Sequence, residues 1–302
     1  MNKTDSLKNL LKNRTLMPRM WIYILNHLPI RFVYKKDREL LNQHRAYKKI
    51  EKFCQHNYSS VKANFVLHEK NETRDIWVLW LQGWDNVPEI VGKCRESLVN
   101  VANDFTIHYI DHNWIKNNLN IPQQIEKKFE KGIIGNAHYS DIVRLFILYK
   151  YGGIWIDATV YFTDDRLLNL IKDESLFFFR ACNNYYVKIS NWLISAEKNN
   201  YIIYCALCFL VRYWERYNVP AHYFIMHMMV TWLLNNHPDI EEKMLYIPNA
   251  SPLFLGGALN DTYNGKVFNG IVEQTSVHKL SYKNIIDKDN SYYNYIITKE
   301  FL

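Results

Sequence analysis

The sequence predicts an α/β fold, with one domain built around a mixed sheet and preceded by a helical N-terminal arm. Short apolar runs bounded by turn residues alternate with helical apolar stripes from residue 76 to residue 157. This alternation is typical of helices layered on a sheet. The chain has 302 residues, of which 48% are hydrophobic, and this is enough for one large core. We therefore divide it into an arm over residues 1–70 and a domain over residues 71–302.

The arm is strongly basic. Residues 1–60 hold thirteen Lys or Arg and four Asp or Glu, a net charge of +9, so the rest of the chain carries −2. Apolar residues recur at helical spacing over residues 16–28, and a second helical run covers residues 40–54. A basic helix with one apolar face can lie on an anionic membrane surface, or that face can pack on the domain. Both interpretations stay open, whereas no recognised motif supports nucleic-acid binding.

The domain is predicted to begin with a strand, a helix and a second strand. Residues 76–81 form a continuous apolar run, which predicts a buried strand. Pro88 marks the start of a helix whose apolar stripe continues to residue 101. Residues 105–110 alternate as a second strand, and residues 123–131 predict a short helix.

The most informative stretch is residues 132–165. Over residues 140–149 the apolar side chains are too dense for a surface helix, which predicts a helix buried on most sides. A pair of glycines ends that helix, and residues 154–156 predict a buried strand with Asp157 at its end. Because ligands of α/β folds bind where parallel strands end, Asp157 is a candidate site residue.

The later part of the chain contains fewer clear patterns. Residues 176–180 predict a strand, and residues 201–217 and 223–235 predict apolar helices. His138 and His227 lie in helical contexts, and we interpret both as core histidines.

The motif Ala-x-x-Ser-Asp141-x-x-Arg144, followed by Tyr-Gly-Gly-Ile-Trp-Ile-Asp157, resembles the glycosyltransferases of capsular polysaccharide synthesis. More distantly it looks like other sugar transferases with an Asp-x-Asp motif, such as glycosyltransferase family 32. The resemblance covers residues 76–283. It implies a single Rossmann-like nucleotide-sugar-binding domain of the glycosyltransferase A type, and Thr159 stands where the second acid of Asp-x-Asp would be.

The activity implied by this resemblance is transfer of a hexose from a nucleotide diphosphate sugar, with UDP as the expected nucleotide. The implied acceptor is a surface glycan precursor on a lipid carrier, and the implied stereochemistry is retention. A non-catalytic sugar-nucleotide-binding or glycan-binding protein of the same fold is the alternative, which the loss of the second acid favours. No apolar run approaches the ~20 residues that span a bilayer, so we expect a cytoplasmic protein, peripheral on the inner face of the membrane.

Glycosyl transfer requires charge neutralisation on the leaving diphosphate, by a divalent metal or by cationic side chains. The resemblance makes Asp157 the expected ligand of Mn or Mg, since carboxylate oxygens suit both ions. It adds His278 as a second metal ligand and Thr159 as a source of a hydroxyl group. Asp157 and Arg144 are the expected catalytic residues.

The remaining candidates are expected to hold the donor. Asp141 and Arg144 contact sugar or ribose hydroxyls in the similar transferases, although a plain helix ion pair, worth ~0.3–0.5 kcal/mol, is the alternative. Trp80 can stack on a base, and Gln82 can bind the edge of that base, unless this tryptophan is a core residue. Two further residues, Lys279 and Lys283, belong to a basic segment that can cover the diphosphate or simply be solvated.

Overall fold

The computed structural model describes residues 17, 20, 35–66, 74–181, 184–286 and 289–298. Its helices are α1 (Lys35–Ala63), α2 (Glu89–Val101), α3 (His112–Asn118), α4 (Gln123–Glu130), α5 (Asn136–Lys150), α6 (Arg166–Ile171), α7 (Tyr201–Arg216), α8 (Ile225–Asn236), α9 (Pro238–Glu241), α10 (Ala250–Gly257), α11 (Gly265–Gln274) and α12 (Tyr292–Thr298). Its strands are β1 (Asp75–Leu79), β2 (Thr106–Ile110), β3 (Gly153–Asp157), β4 (Val160–Phe162), β5 (Leu176–Arg180), β6 (Ile189–Ala196) and β7 (Val277–Lys279).

A five-stranded sheet in the order β2-β1-β3-β6-β5 forms the centre of the fold. The first three strands in that order are parallel, and β6 and β5 are antiparallel to their neighbours. Leu79 lies opposite both Ile110 and Asp157, so the three parallel strands end at one edge. The prediction of an α/β fold with a mixed central sheet is confirmed.

The central strands are apolar on both faces because a hydrophobic core lies on each side of the sheet. Ile76 and Val78 of β1 belong to one core, and Trp77 and Leu79 belong to the other. This explains the unbroken apolar run, which is typical of parallel strands covered on both faces. The first strand ends at Leu79, two residues earlier than predicted, because the chain turns there towards the site.

The buried helix predicted over residues 140–149 is present as α5, which begins earlier, at Asn136. It packs against α7, β3 and β6. Gly152 and Gly153 follow it with positive φ angles of 74° and 96°, a conformation that glycine adopts without steric cost. A Cβ atom at Gly153 would also collide with the backbone carbonyl oxygen of Asp75. This close approach is what allows β3 to lie beside β1.

The described part of the arm packs on the domain. Ile50, Cys54 and Val61 of α1 are fully buried, and they belong to the same core as α5 and α7. The Tyr58 hydroxyl lies 2.8 Å from Nε2 of His237. Core packing is therefore the correct interpretation for α1, whereas the stripe over residues 16–28, apart from residues 17 and 20, lies outside the described residues.

A second, two-stranded sheet pairs β4 with β7 in antiparallel register, with Val160 opposite Lys279. The residue pattern did not predict these two strands or β6. Within the described ranges, no helix combines the length and the apolar character needed to cross a membrane.

We expect Gly153→Ala to lower the free energy of unfolding by about 2 kcal/mol or more, because the new methyl group meets backbone that cannot move aside and the φ angle is strained. Urea denaturation measures this change. Gly92→Ala is the matched control, since Gly92 lies in α2 with open space around it. Alanine there should instead stabilise the protein by about 0.5–1 kcal/mol. Equal effects of the two substitutions would contradict the close-approach account.

Candidate active site

A cleft of about 650 Å³ opens where β1 and β3 end, a size within the usual range for small-molecule sites. Eight of the nine residues predicted from the sequence line it: Trp80, Gln82, Asp141, Arg144, Asp157, Thr159, Lys279 and Lys283. Residues from four separate stretches of the chain therefore meet at one edge of the sheet. The ninth, His278, is not among the lining residues.

Asp157, the last residue of β3, lies between two cations. Its Oδ1 atom is 3.5 Å from Nη2 of Arg144, and its Oδ2 atom is 3.2 Å from Nζ of Lys279. The Trp155 indole also donates a hydrogen bond to Oδ1, at 3.0 Å. Burial acts to raise the pKa of Asp157, but Lys279 and then Arg144 outweigh it and hold the pKa below its usual value. The carboxylate is therefore ionised at neutral pH.

Arg144 is held in place by α5 and β6. Its Nε donates to the Ser140 carbonyl at 3.3 Å, its Nη2 donates to the Ser140 hydroxyl at 3.1 Å, and its Nη1 donates to the Asn191 carbonyl. The guanidinium carbon also lies 5.1 Å from the ring centroid of Trp155. With a side chain only 5% exposed, Arg144 is a fixed cation in the cleft wall rather than a solvated one.

Asp141 is buried beside this arginine. Its Oδ1 atom is 3.4 Å from Nη2 of Arg144 and accepts a hydrogen bond from Nδ2 of Asn191 at 2.7 Å. Burial raises the pKa of Asp141 to about 7; Arg144 opposes this rise, and the nearby Asp157 adds to it. Near neutrality Asp141 thus exchanges a proton, and in its protonated form it can donate a hydrogen bond to a ligand.

Lys279 enters the cleft from β7. Its ammonium donates to the Thr159 hydroxyl as well as pairing with Asp157. Because successive side chains of a strand point to opposite faces, His278 faces away from the cleft and is fully buried. Its ring nitrogens have no hydrogen-bond partner among the described residues, and burial lowers its pKa to about 4.

These residues do not fit the divalent metal that the family resemblance implies. The described residues contain no group of three or more His, Cys, Asp or Glu placed to hold a metal ion. Mg and similar hard cations need several oxygen ligands. The two carboxylate oxygens of Asp157 already pair with Arg144 and Lys279, and the Thr159 hydroxyl already accepts a hydrogen bond from Lys279. The expected ligand His278 does not reach the cleft. The expectation of Mn or Mg therefore disagrees with the donor set.

Two cleft residues were not recognised in the sequence. His227 was interpreted as a core histidine, yet it lines the cleft from α8. Burial, with a further contribution from Arg144, lowers its pKa to about 3, so its imidazole is neutral. Asn191 lies on β6, which the residue pattern did not predict. His138 fits the core interpretation, since it is buried and its Nδ1 lies 3.9 Å from Oδ2 of Asp141.

Trp80 and Gln82, the two residues predicted to bind a base, lie at the rim of the cleft. Trp80 is partly buried and packs edge-on against Tyr282, with ring centroids 5.4 Å apart. Lys283 lies beside the same tyrosine, 5.6 Å from its ring centroid. Gln82 is exposed at this rim. One aromatic contact thus joins the end of β1 to the segment that follows β7.

A comparison with known families gives a match to capsular polysaccharide synthesis proteins over residues 28–296. The chain belongs to this family. A stretch of 122 residues is 27% identical to the O-glycosyltransferase braB of Annulohypoxylon truncatum, covering 35% of this chain and 28% of that relative. The chain thus spans well under half the length of the curated relative that it matches. Among solved structures, the PaToxG glycosyltransferase superposes with a TM-score of 0.42 at 16% identity, covering 67% of this chain and 83% of the other.

The raised pKa of Asp141 predicts how the stability of this family member depends on pH. The carboxyl ionises near 3.9 in an unfolded chain and at about 7 in the folded protein. The folded state holds the extra proton between these values, so the free energy of unfolding falls as the pH rises through this window. Asp141→Asn removes this titration. From pH 4 to pH 8 the free energy of unfolding should therefore decrease by about 2–4 kcal/mol less in the variant than in the wild type.

Urea denaturation at a series of pH values measures this difference. Asp104→Asn removes an exposed carboxylate and serves as the control, which should follow the wild type. Parallel pH profiles for the wild type and Asp141→Asn would show that Asp141 is ionised throughout and would overturn its assignment as a proton-exchanging group.

Proposed function

We propose that this chain transfers a hexose from a nucleotide diphosphate sugar, with UDP as the nucleotide, to a capsular or other surface polysaccharide precursor carried on a lipid. The supporting observation is the cleft at the strand ends, where Asp157 lies between Arg144 and Lys279. Negative charge gathers on the leaving diphosphate, and fixed cations stabilise it. Family membership supports the acceptor class, and the similarity to an O-glycosyltransferase supports the reaction type.

In the proposed reaction the bond between the anomeric carbon and the β-phosphate oxygen breaks, and its electron pair stays on the diphosphate. The acceptor hydroxyl oxygen bonds to the anomeric carbon, and its proton passes to the departing diphosphate oxygen. Attack on the face from which the diphosphate leaves would retain the anomeric configuration. Asp157 is unsuited to act as the nucleophile, because both of its carboxylate oxygens already pair with cations.

The donor would lie along the cleft from the rim to the buried network. Trp80 and Gln82 at the rim would contact the base. Asp141 would bind a sugar or ribose hydroxyl, since it keeps one carboxyl oxygen outside its hydrogen bond with Asn191. Lys283, which lines the cleft near Tyr282, would contact the diphosphate from the open side.

Release of nucleoside diphosphate from a panel of nucleotide sugars tests the proposal. We expect UDP-hexoses to be hydrolysed slowly and to be turned over faster with a lipid-linked glycan acceptor. Asp157→Asn should reduce turnover by about two to three orders of magnitude, because Asp157 holds the cations of Arg144 and Lys279 in the preorganised positions from which they stabilise the diphosphate. Donor binding without any release would instead support the non-catalytic sugar-nucleotide-binding alternative, which Thr159 in place of the second acid favours.

Arg144→Ala should weaken binding of a UDP-hexose by about tenfold or more, because a hydrogen bond to a charged group contributes about 1.5–3 kcal/mol. Calorimetric titration measures the affinity, and circular dichroism confirms that the variant is folded. Arg166→Ala is the matched control, since Arg166 is an exposed arginine that pairs with Asp164. Unchanged affinity in folded Arg144→Ala would leave Arg144 with only its structural hydrogen bonds.

We also propose that the basic arm attaches the protein to the anionic inner face of the cell membrane, which would place the cleft near a lipid-carried acceptor. The +9 charge of residues 1–60 supports this, since each basic group near an anionic surface contributes up to about 1 kcal/mol. Lys8→Glu with Lys12→Glu should reduce sedimentation with anionic vesicles, and added salt should reduce it in the wild type. The control is Lys127→Glu with Lys266→Glu, two exposed lysines of the domain. An equal loss of vesicle binding in both double variants would show that binding depends on the net charge of the protein and not on the arm.

A further inference from the structure

The position that resembles an Asp-x-Asp metal site differs from that motif in two ways, and the two differences complement each other. The second acid is Thr159, which removes one negative charge. The Nζ atom of Lys279 lies 3.2 Å from Oδ2 of Asp157 and also donates to the Thr159 hydroxyl. An ammonium group therefore bridges the two positions between which the resemblance places a divalent ion.

The backbone fixes this lysine where it is. β7 pairs with β4 so that Lys279 lies opposite Val160, and the amide of Leu280 donates to the Thr159 carbonyl at 2.8 Å. α10 packs directly on the same strand at Gly256, where a Cβ atom would collide with the Lys279 carbonyl oxygen. The backbone of Lys279 is thus held from both sides by regular structure.

The charge of the cleft is suited to a diphosphate without an added ion. Asp157 is opposed by the cations of Arg144 and Lys279, and Lys283 adds a third cation to the lining. Lys279 and Asp157 have side chains 23% and 25% exposed, so both reach the cleft surface. A divalent ion at Asp157 would have to displace the ammonium or lie against it, and like charges at that distance repel.

Resting on the proposed function, we propose that Lys279 neutralises the leaving diphosphate in place of a divalent metal. The ammonium would donate to a β-phosphate oxygen while Asp157 and Thr159 keep it oriented. Nucleoside diphosphate binding should then be independent of metal and dependent on this one lysine.

The test is calorimetric titration of the full chain with UDP, in a chelator and again in Mn. We expect equal affinities. Lys279→Met keeps most of the length of the side chain without its charge and should weaken UDP binding by about tenfold or more. Uridine binding should be unchanged, because uridine has no diphosphate. Lys279→Arg should recover part of the lost affinity. Lys266→Met, at an exposed site outside the cleft, should match the wild type.

The outcomes separate this inference from the function on which it rests. UDP binding that needs Mn, or that is unaffected by Lys279→Met in a protein with a normal urea midpoint, overturns the lysine assignment while leaving the transferase proposal intact. Failure of UDP to bind in either buffer would refute the proposed function itself and the inference with it.

Discussion

The carboxylate of Asp157, held between two cations at the carboxyl edge of the sheet, is the interaction on which the site depends. A buried or half-buried ion is costly unless it is paired and hydrogen-bonded, so the fold must bring its partners from distant parts of the chain. α5 supplies Arg144, the pairing of β4 with β7 supplies Lys279, and β3 itself supplies the indole of Trp155. The two glycines after α5 allow β3 to approach β1 closely enough to place Asp157 at that edge. The same backbone packing that forms the sheet therefore also places the charged groups of the site.

Because of these cations, the two carboxyl groups of the cleft, Asp157 and Asp141, have different protonation states. Asp157 is close to both Arg144 and Lys279, and its pKa falls. Asp141 has only Arg144 as a nearby cation, so the effect of burial prevails and its pKa rises to about 7. His227, buried in the same cleft as Arg144, stays neutral. A single guanidinium thus lies among an ionised acid, an acid that exchanges protons near neutrality, and a neutral base, which is the kind of separation that acid-base and binding sites use.

Residue patterns correctly predict the strands β1 and β3 and the buried helix α5, and also less buried elements such as β2 and α4. β1 and β3 have unbroken apolar runs because they lie between two cores, and α5 has a dense apolar run because most of its side chains are buried in one of those cores. Asp157 lies at the end of the run of β3, and Asp141 and Arg144 lie within that of α5. β6 was not predicted, because polar residues interrupt its apolar pattern. One of them, Asn191, belongs to the site. β7 is only three residues long, too short for alternation to be recognised, so the sequence could not tell that Lys279 enters the cleft and His278 turns away. Such assignments depend on strand pairing between residues more than 100 positions apart, which local patterns do not encode.

The proposed reaction requires a positive charge beside the point where the diphosphate leaves, and the fold can satisfy this requirement in more than one way. Two acids and a mobile divalent ion form one solution, in which the ion brings the charge and must be bound from solution. One acid, one hydroxyl and an ammonium group that is covalently attached to the chain form another. In both arrangements the charges of the acids and of the cation sum to about zero. In the second arrangement a carboxylate at position 159 would over-neutralise the lysine, whereas a threonine hydroxyl can accept its hydrogen bond without cancelling its charge. Thr159 and Lys279 therefore act as a pair in the proposed site, since the hydroxyl of the threonine accepts the hydrogen bond that the lysine donates.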